Sequence, residues 1–214
     1  MAPPRKHDSD RILDAARAIV LRGGPRAASI AAIARDSGAP VGTLYHRFGS
    51  RDGVLAASWL RALAGFQQRA LAAASQPEPL EAAVQMACAQ VDFARARPED
   101  ARLLLTLRRD DLLDRAPDES FRTRLDAINA PLEDAVSELA GRLGGGAGAR
   151  AMDRIVRAVV DLPNAAVRRH MRDGGELPDW LEQDVAAATR QLLGPSPRGQ
   201  GNDSGAPREA RRSR

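Results

Sequence analysis

SIAAIARDSGAPVGTLYHRF, Ser29 to Phe48, holds two short helical patterns that meet at a glycine. Ile30, Ile33 and Ala34 fall at i, i+3, i+4, one face of a helix, and Ser29 just before them can accept a hydrogen bond from an otherwise unpaired amide. Gly38 follows where the chain must turn, and glycine takes positive φ without steric cost, so the first helix is predicted to stop there. A second helix restarts near Pro40, whose fixed φ suits a first turn. Val41 and Leu44 are expected to pack back onto Ile30, Ile33 and Ala34, with Ala34 small enough for a close crossing. Gly42, Thr43, Tyr45 and His46 then face outward.

That outward face suits a nucleic-acid backbone. Thr43 and Tyr45 offer hydroxyls to phosphate oxygens, His46 offers a ring N–H, and Gly42 lets the backbone approach a groove wall. The same spacing also fits a plain αα-hairpin, and periodicity alone does not separate the two.

The longer stretch SIAAIARDSGAPVGTLYHRFGSRDGVL resembles the DNA-binding domain of TetR-type bacterial transcriptional repressors. The resemblance runs from about Ser9 to Trp59, the N-terminal quarter of the chain. It takes in a preceding amphipathic helix carrying Ile12, Leu13, Ala16, Ile19 and Val20, and a following helix that opens at Ser50. It implies that Ser29, Thr43, Tyr45 and His46 meet phosphates or base edges, and that Arg51, where the family frequently has lysine, reaches a phosphate. Two positions depart from the family. Pro40 stands where a serine is usual, removing a hydroxyl and an amide donor. Val41 stands where lysine or another polar residue is common, so in a groove it offers only apolar contact, for example to a thymine methyl.

The rest of the chain fits an all-α protein. Of 214 residues, 43% are hydrophobic but only 3% aromatic, which favours closely packed helices over a β-sandwich. No strand-like alternation, internal repeat, 18-residue apolar span or basic-then-apolar leader is found, so no membrane association is expected and the cytoplasm is the expected compartment. Residues 1–52 carry nine Lys/Arg against five Asp/Glu, residues 53–194 carry 18 against 21, and residues 195–214 carry five against two. A basic reading end joined to a mildly acidic body is what attraction to phosphates at one end requires, although solvated helix faces explain the body equally well.

The expected domains are a flexible basic arm (1–8), a three-helix helix-turn-helix domain (9–52), a helical ligand-binding and dimerisation domain (53–194) and a disordered basic tail (195–214). Arg5 and Lys6 in the arm could reach a minor groove. Helices are predicted over Gly53–Ala74, Leu80–Ala96, Pro98–Leu107, Ser120–Leu143, Arg150–Met171 with a bend at Pro163, and Pro178–Leu193. A polar link lies at Asp110–Glu119 and a flexible glycine run at Gly144–Gly148.

By the resemblance, the last two long helices pair with their copies in a second subunit. Ile155, Val156, Val159, Val160 and Val167, with Leu181, Val185, Ala188 and Leu192, are the candidates for that seam; an intrachain core is the alternative. A homodimer would match two operator half-sites about one helical turn apart. The middle helices would then enclose a pocket for a small-molecule effector, with Trp59, Phe66, Met86, Phe93, Leu104 and Phe121 as candidate walls or ordinary core. No charged residue stands out as the effector's partner.

Catalysis is not indicated. His7, His46 and His170 show no metal-ligand spacing with each other or with Cys88, and there is no GxxxxGK[ST] loop and no GxGxxG after a strand. No cofactor, metal or catalytic residue is expected, and Asp110, Asp111, Asp118 and Glu119 read as solvated link. Cys88, the single cysteine, reads as a small buried apolar residue, with a redox switch as the alternative. Two functions remain: a repressor released from a palindromic operator by an effector, and a sequence-tolerant DNA-binding protein without one.

Overall fold

The structure, a computed structural model, describes residues 5–107, 119–143, 148–172 and 175–194. The secondary structure of these residues is helical, in the order α1 (Arg5–Gly23), α2 (Ile30–Ser37), α3 (Val41–Phe48), α4 (Arg51–Ala74), α5 (Pro79–Ala96), α6 (Pro98–Thr106), α7 (Glu119–Arg142), α8 (Ala149–Val156), α9 (Leu162–Met171) and α10 (Leu181–Leu193), with short turns between them. A short 3₁₀ turn, Pro25–Ala27, joins α1 to α2. The expected tail and the glycine run from 144 to 147 lie outside the described residues, as does most of the polar link.

On α1 the apolar stripe predicted from spacing is buried: Ile12, Leu13, Ala16, Ile19 and Val20 are all under 8% exposed. It joins Ile33, Ala34 and Leu44 in one core with Val54, Leu55, Trp59 and Leu60 of α4. The expected boundary at 52/53 therefore falls inside a continuous helix, whose first half belongs to the head. The helix α1 also reaches back to Arg5, so residues 5–8 are its first turns and Arg5 and Lys6 do not sit in a flexible arm.

Below the head, α5 is the central rod of the body. Ala82, Ala83, Ala87, Ala89 and Ala94 are buried on several of its sides, and these short side chains let α4, α9 and α10 pack around it. Long-range polar contacts close the packing. Arg142 at the end of α7 donates to the carbonyls of Gln76 and Pro77, both at 2.6 Å, and so satisfies acceptors left bare where α4 ends. The Thr189 hydroxyl, fully buried, lies 2.8 Å from the Val185 carbonyl of its own helix and 3.4 Å from the Ala158 carbonyl, the long-range contact.

The bend expected at Pro163 takes a particular form. Between α8 and α9 the backbone runs through a five-residue π-helical turn, Arg157–Asp161, and stays helical on both sides. Proline lacks an N–H and its ring crowds the preceding turn, and the wider turn just before it relieves that crowding without ending the rod.

Candidate nucleic-acid interface and ligand cavity

The helix-turn-helix forms by the local chemistry its sequence offers. Ser29 Oγ accepts from the Ala32 amide at 3.1 Å and caps α2, and Gly38 ends the helix at φ +70° in the left-handed region. Ser37, whose contribution the spacing did not reveal, is buried inside the turn, donating to the Ala34 carbonyl and accepting from the Ala39 amide, both at 3.3 Å. Gly53 has a role of its own. A Cβ there would lie 1.9 Å from the Phe48 carbonyl oxygen, so only glycine lets the first turn of α4 sit against the end of α3.

Leu44 is fully buried and anchors α3 to the head, as expected. Val41 does not pack back with it. It is 43% exposed and joins Gly42, Tyr45 and His46 on the outer face of α3, while Thr43 is half-buried; Ser29 and Pro40 are exposed beside them. The correction follows from register, since α3 begins at Val41 itself and a residue three positions before Leu44 lies at the rim of the helix's inner stripe. Tyr45 is 52% exposed, and no acidic residue lies on α3.

Arg51 differs from its expected role. Its Nε donates to the Ala28 carbonyl at 2.9 Å, its other nitrogens bond the Pro25 carbonyl and Asp52, and the guanidinium thereby ties α4 to the loop that precedes α2. In this arrangement its donors serve the fold and are not turned outward toward a phosphate. Other cations of the head are also engaged: Arg22 and Arg35 with Asp36, and Arg47 with Ser9 at 2.9 Å. Arg11 is exposed beside the turn, near Gly38, a position 27 residues away in sequence that spacing could not associate with it.

A cavity of about 1110 Å³ opens between α4, α5, α6 and α9. Of the six expected wall residues, Trp59, Phe66, Phe93 and Leu104 line it. Met86 and Phe121 do not. Met86 packs with Leu139 and Ile155 at the far end of the body, and Phe121 joins Leu125 in the core of the head. Phe66 and Phe93 meet edge to face, centroids 5.9 Å apart. The sequence left the other lining residues unnoticed as walls, and three of them are basic: Arg102 from α6, and Arg168 and Arg172 at the end of α9, with no carboxylate among the described lining residues.

Residues 12–58 match the family model of the bacterial regulatory proteins of the tetR family. This segment belongs to the TetR family. The fold as a whole is similar to solved structures: the TetR family transcriptional regulator PfmR from Thermus thermophilus is similar at TM-score 0.59 and 23% identity, covering 86% of this chain and 97% of its own. The fatty acid degradation regulator FadR from Bacillus halodurans is similar at TM-score 0.65 and 17% identity, covering 91% and 96%. FadR from Bacillus subtilis, solved with stearoyl-CoA, is similar at TM-score 0.66 and 14% identity, covering 86% and 97%. No curated protein sequence matches the chain.

The TetR-type head and the cavity are joined through α1 and α6. Leu21 of α1 forms part of the cavity wall, and α6 supplies Ala101, Arg102, Leu104 and Leu105. On the other face of that junction Arg17 of α1 holds Glu99 at 2.8 Å and pairs with Asp100 of α6. Burial opposes the Arg17 charge, but the Asp100 hydrogen bond and the charges of Asp100, Asp14 and Glu99 outweigh it and push the guanidinium above its ordinary pKa.

The expected dimer seam divides. Ile155, Val159, Val167, Leu181 and Val185 are buried in the chain's own core, and Val156, Val160, Ala188 and Leu192 remain half-buried or exposed. Cys88 is buried with its Sγ 3.8 Å from the Glu182 carbonyl oxygen. Burial, then Glu182 and Asp92, push its thiol up to about 11, the behaviour of an inert core residue. Among the described residues no helix is long and apolar enough to cross a membrane.

Proposed function

We propose that this chain is a transcriptional regulator, a repressor that a small-molecule effector releases from a palindromic operator. The observation that carries it is the pairing of a TetR-family head with a cavity-bearing body: an exposed, acid-free α3 face at one end, and a cavity of about 1110 Å³ that shares helix α6 with the head. Val41, Gly42 and His46 are the groove-facing groups, Tyr45 and Ser29 with half-buried Thr43 are the phosphate or base contacts, and Pro40 opens the reading helix. The size of the cavity lies at the upper end of ordinary small-molecule sites, and Bacillus subtilis FadR, of the same fold, holds stearoyl-CoA.

Release follows from linkage. An effector that fits the cavity better when α6 has shifted against α1 disfavours the DNA-competent arrangement, with a coupling of about 1 to 3 kcal/mol in typical cases. A second copy of the chain would cover exposed Val160 and Trp180 and the half of the seam that the monomer leaves open.

Selection of bound sequences from a random duplex pool tests this reading. A palindrome with half-sites about one helical turn apart is the expected result. A pool that is bound but not enriched would replace it with the sequence-tolerant reading. Light scattering that gave only monomer at micromolar concentration would remove the dimer.

A further inference from the structure

We propose that the cavity takes an apolar ligand with an anionic head, a carboxylate or a phosphate ester, seated on Arg168 and Arg172 at the end of α9. The proposal rests on reading this cavity as the effector site and adds the chemical class of its occupant.

The cavity has a gradient from floor to rim. Trp59, Phe93, Ala101, Val167 and Met171 are buried and apolar, whereas Thr106, Arg168 and Arg172 are exposed and mark the opening. Arg102 stands half-buried between them. One face of α9 supplies Asn164, Val167, Arg168, Met171 and Arg172, the i, i+3, i+4, i+7, i+8 positions of a single helical stripe. That stripe sets two guanidinium groups one turn apart, a like-charge pair that repels in the empty site and that an anion between them would relieve. Among the described residues no carboxylate is placed against Arg168 or Arg172, so a ligand would be their anionic partner. Among the described lining residues there is no Asp or Glu, so Arg168 and Arg172 disfavour a cationic head on charge alone.

Guanidinium groups donate and cannot accept, so Arg168 and Arg172 are complementary to a carboxylate or phosphate and poorly matched to an amine.

Binding is measured without DNA, by Trp59 fluorescence in W180F protein and by calorimetry, with decanoate, decyl phosphate, decanol and decylamine as probes. Either anion should bind at least about tenfold more tightly than decanol, and decylamine should bind weakest. R168Q/R172Q should erase the anion preference while leaving decanol unchanged, and R168K/R172K should restore part of it. The stronger of the two anions identifies the head group. Equal affinity for decanol and decanoate, a preference that survives R168Q/R172Q, or no binding of any probe would each overturn the proposal. Failure of the wild-type protein to select an operator, with anion binding intact, would instead remove the regulator reading and leave this site standing.

Discussion

The head and the cavity rim both carry arginines, but they use them differently. In the head, Arg17, Arg22, Arg47 and Arg51 are turned to acceptors of the protein itself, bridging α1 to α6, α1 to α2, α3 to α1 and α4 to the loop before α2, and Arg35 pairs with the adjacent Asp36. At the rim, Arg168 and Arg172 face a cavity whose described lining residues include no carboxylate. The count of nine Lys/Arg over residues 1–52 therefore includes several whose donors are already engaged within the fold, and the acidic balance of the body conceals a local basic site. An anion is attracted by the charges that remain unpaired after folding, and these follow from side-chain partners more than from counts.

The largest test of this contrast is Asp100→Asn, which leaves Arg17 without its closest partner where the two side chains are only 16% and 12% exposed. Stability to urea should fall by about 2 kcal/mol, less than for a fully buried pair. A change near zero would mean that the α1 to α6 clamp holds little. Arg51→Ala comes next. Loss of its bonds to the Ala28 and Pro25 carbonyls should cost about 1 to 2 kcal/mol while the salt dependence of DNA binding keeps its slope. A slope lower by about one unit, with stability intact, would restore the phosphate role that the family resemblance implies.

At the rim the expectation is reversed. Arg168→Gln and Arg172→Gln should each alter stability by no more than about 0.5 kcal/mol, because neither holds another element. A loss as large as that of Asp100→Asn would show that the rim arginines are structural after all. The smallest effect concerns Cys88, whose thiol lies raised to about 11 from an ordinary 9.0. The neutral thiol is favoured by folding, so its contribution is present below pH 9 and is lost as the pH rises toward 11. Alkylation by iodoacetamide at pH 8 should be roughly a hundredfold slower in folded than in urea-unfolded protein. Equal rates would contradict the buried environment.

Much of the head was legible in the sequence because its signals are local. Ser29 caps the helix three residues ahead of its bonded amide, Gly38 turns within its own dihedral, and the stripe from Ile12 to Val20 is a property of one helix. Val41 departs from its expected place within the same segment, since a residue three positions before Leu44 lies at the rim of the inner stripe, where packing by other elements decides whether it is covered. The cavity was half legible. Trp59, Phe66, Phe93 and Leu104 announce themselves as apolar positions, but Met86 and Phe121 are equally apolar and lie elsewhere, because hydrophobicity says that a residue is buried and not against what.

The sequence by itself determined the all-α class, the turn at Gly38 and the outward placement of Gly42, Tyr45 and His46, since helix periodicity and capping act over a few residues. Only the tertiary structure decided that Arg51 braces the head, that the seam residues divide between core and surface, and that Arg102, Arg168 and Arg172 share one cavity. Those outcomes depend on contacts between residues tens of positions apart, and burial and charge pairing are properties of such contacts and not of any single stretch of chain.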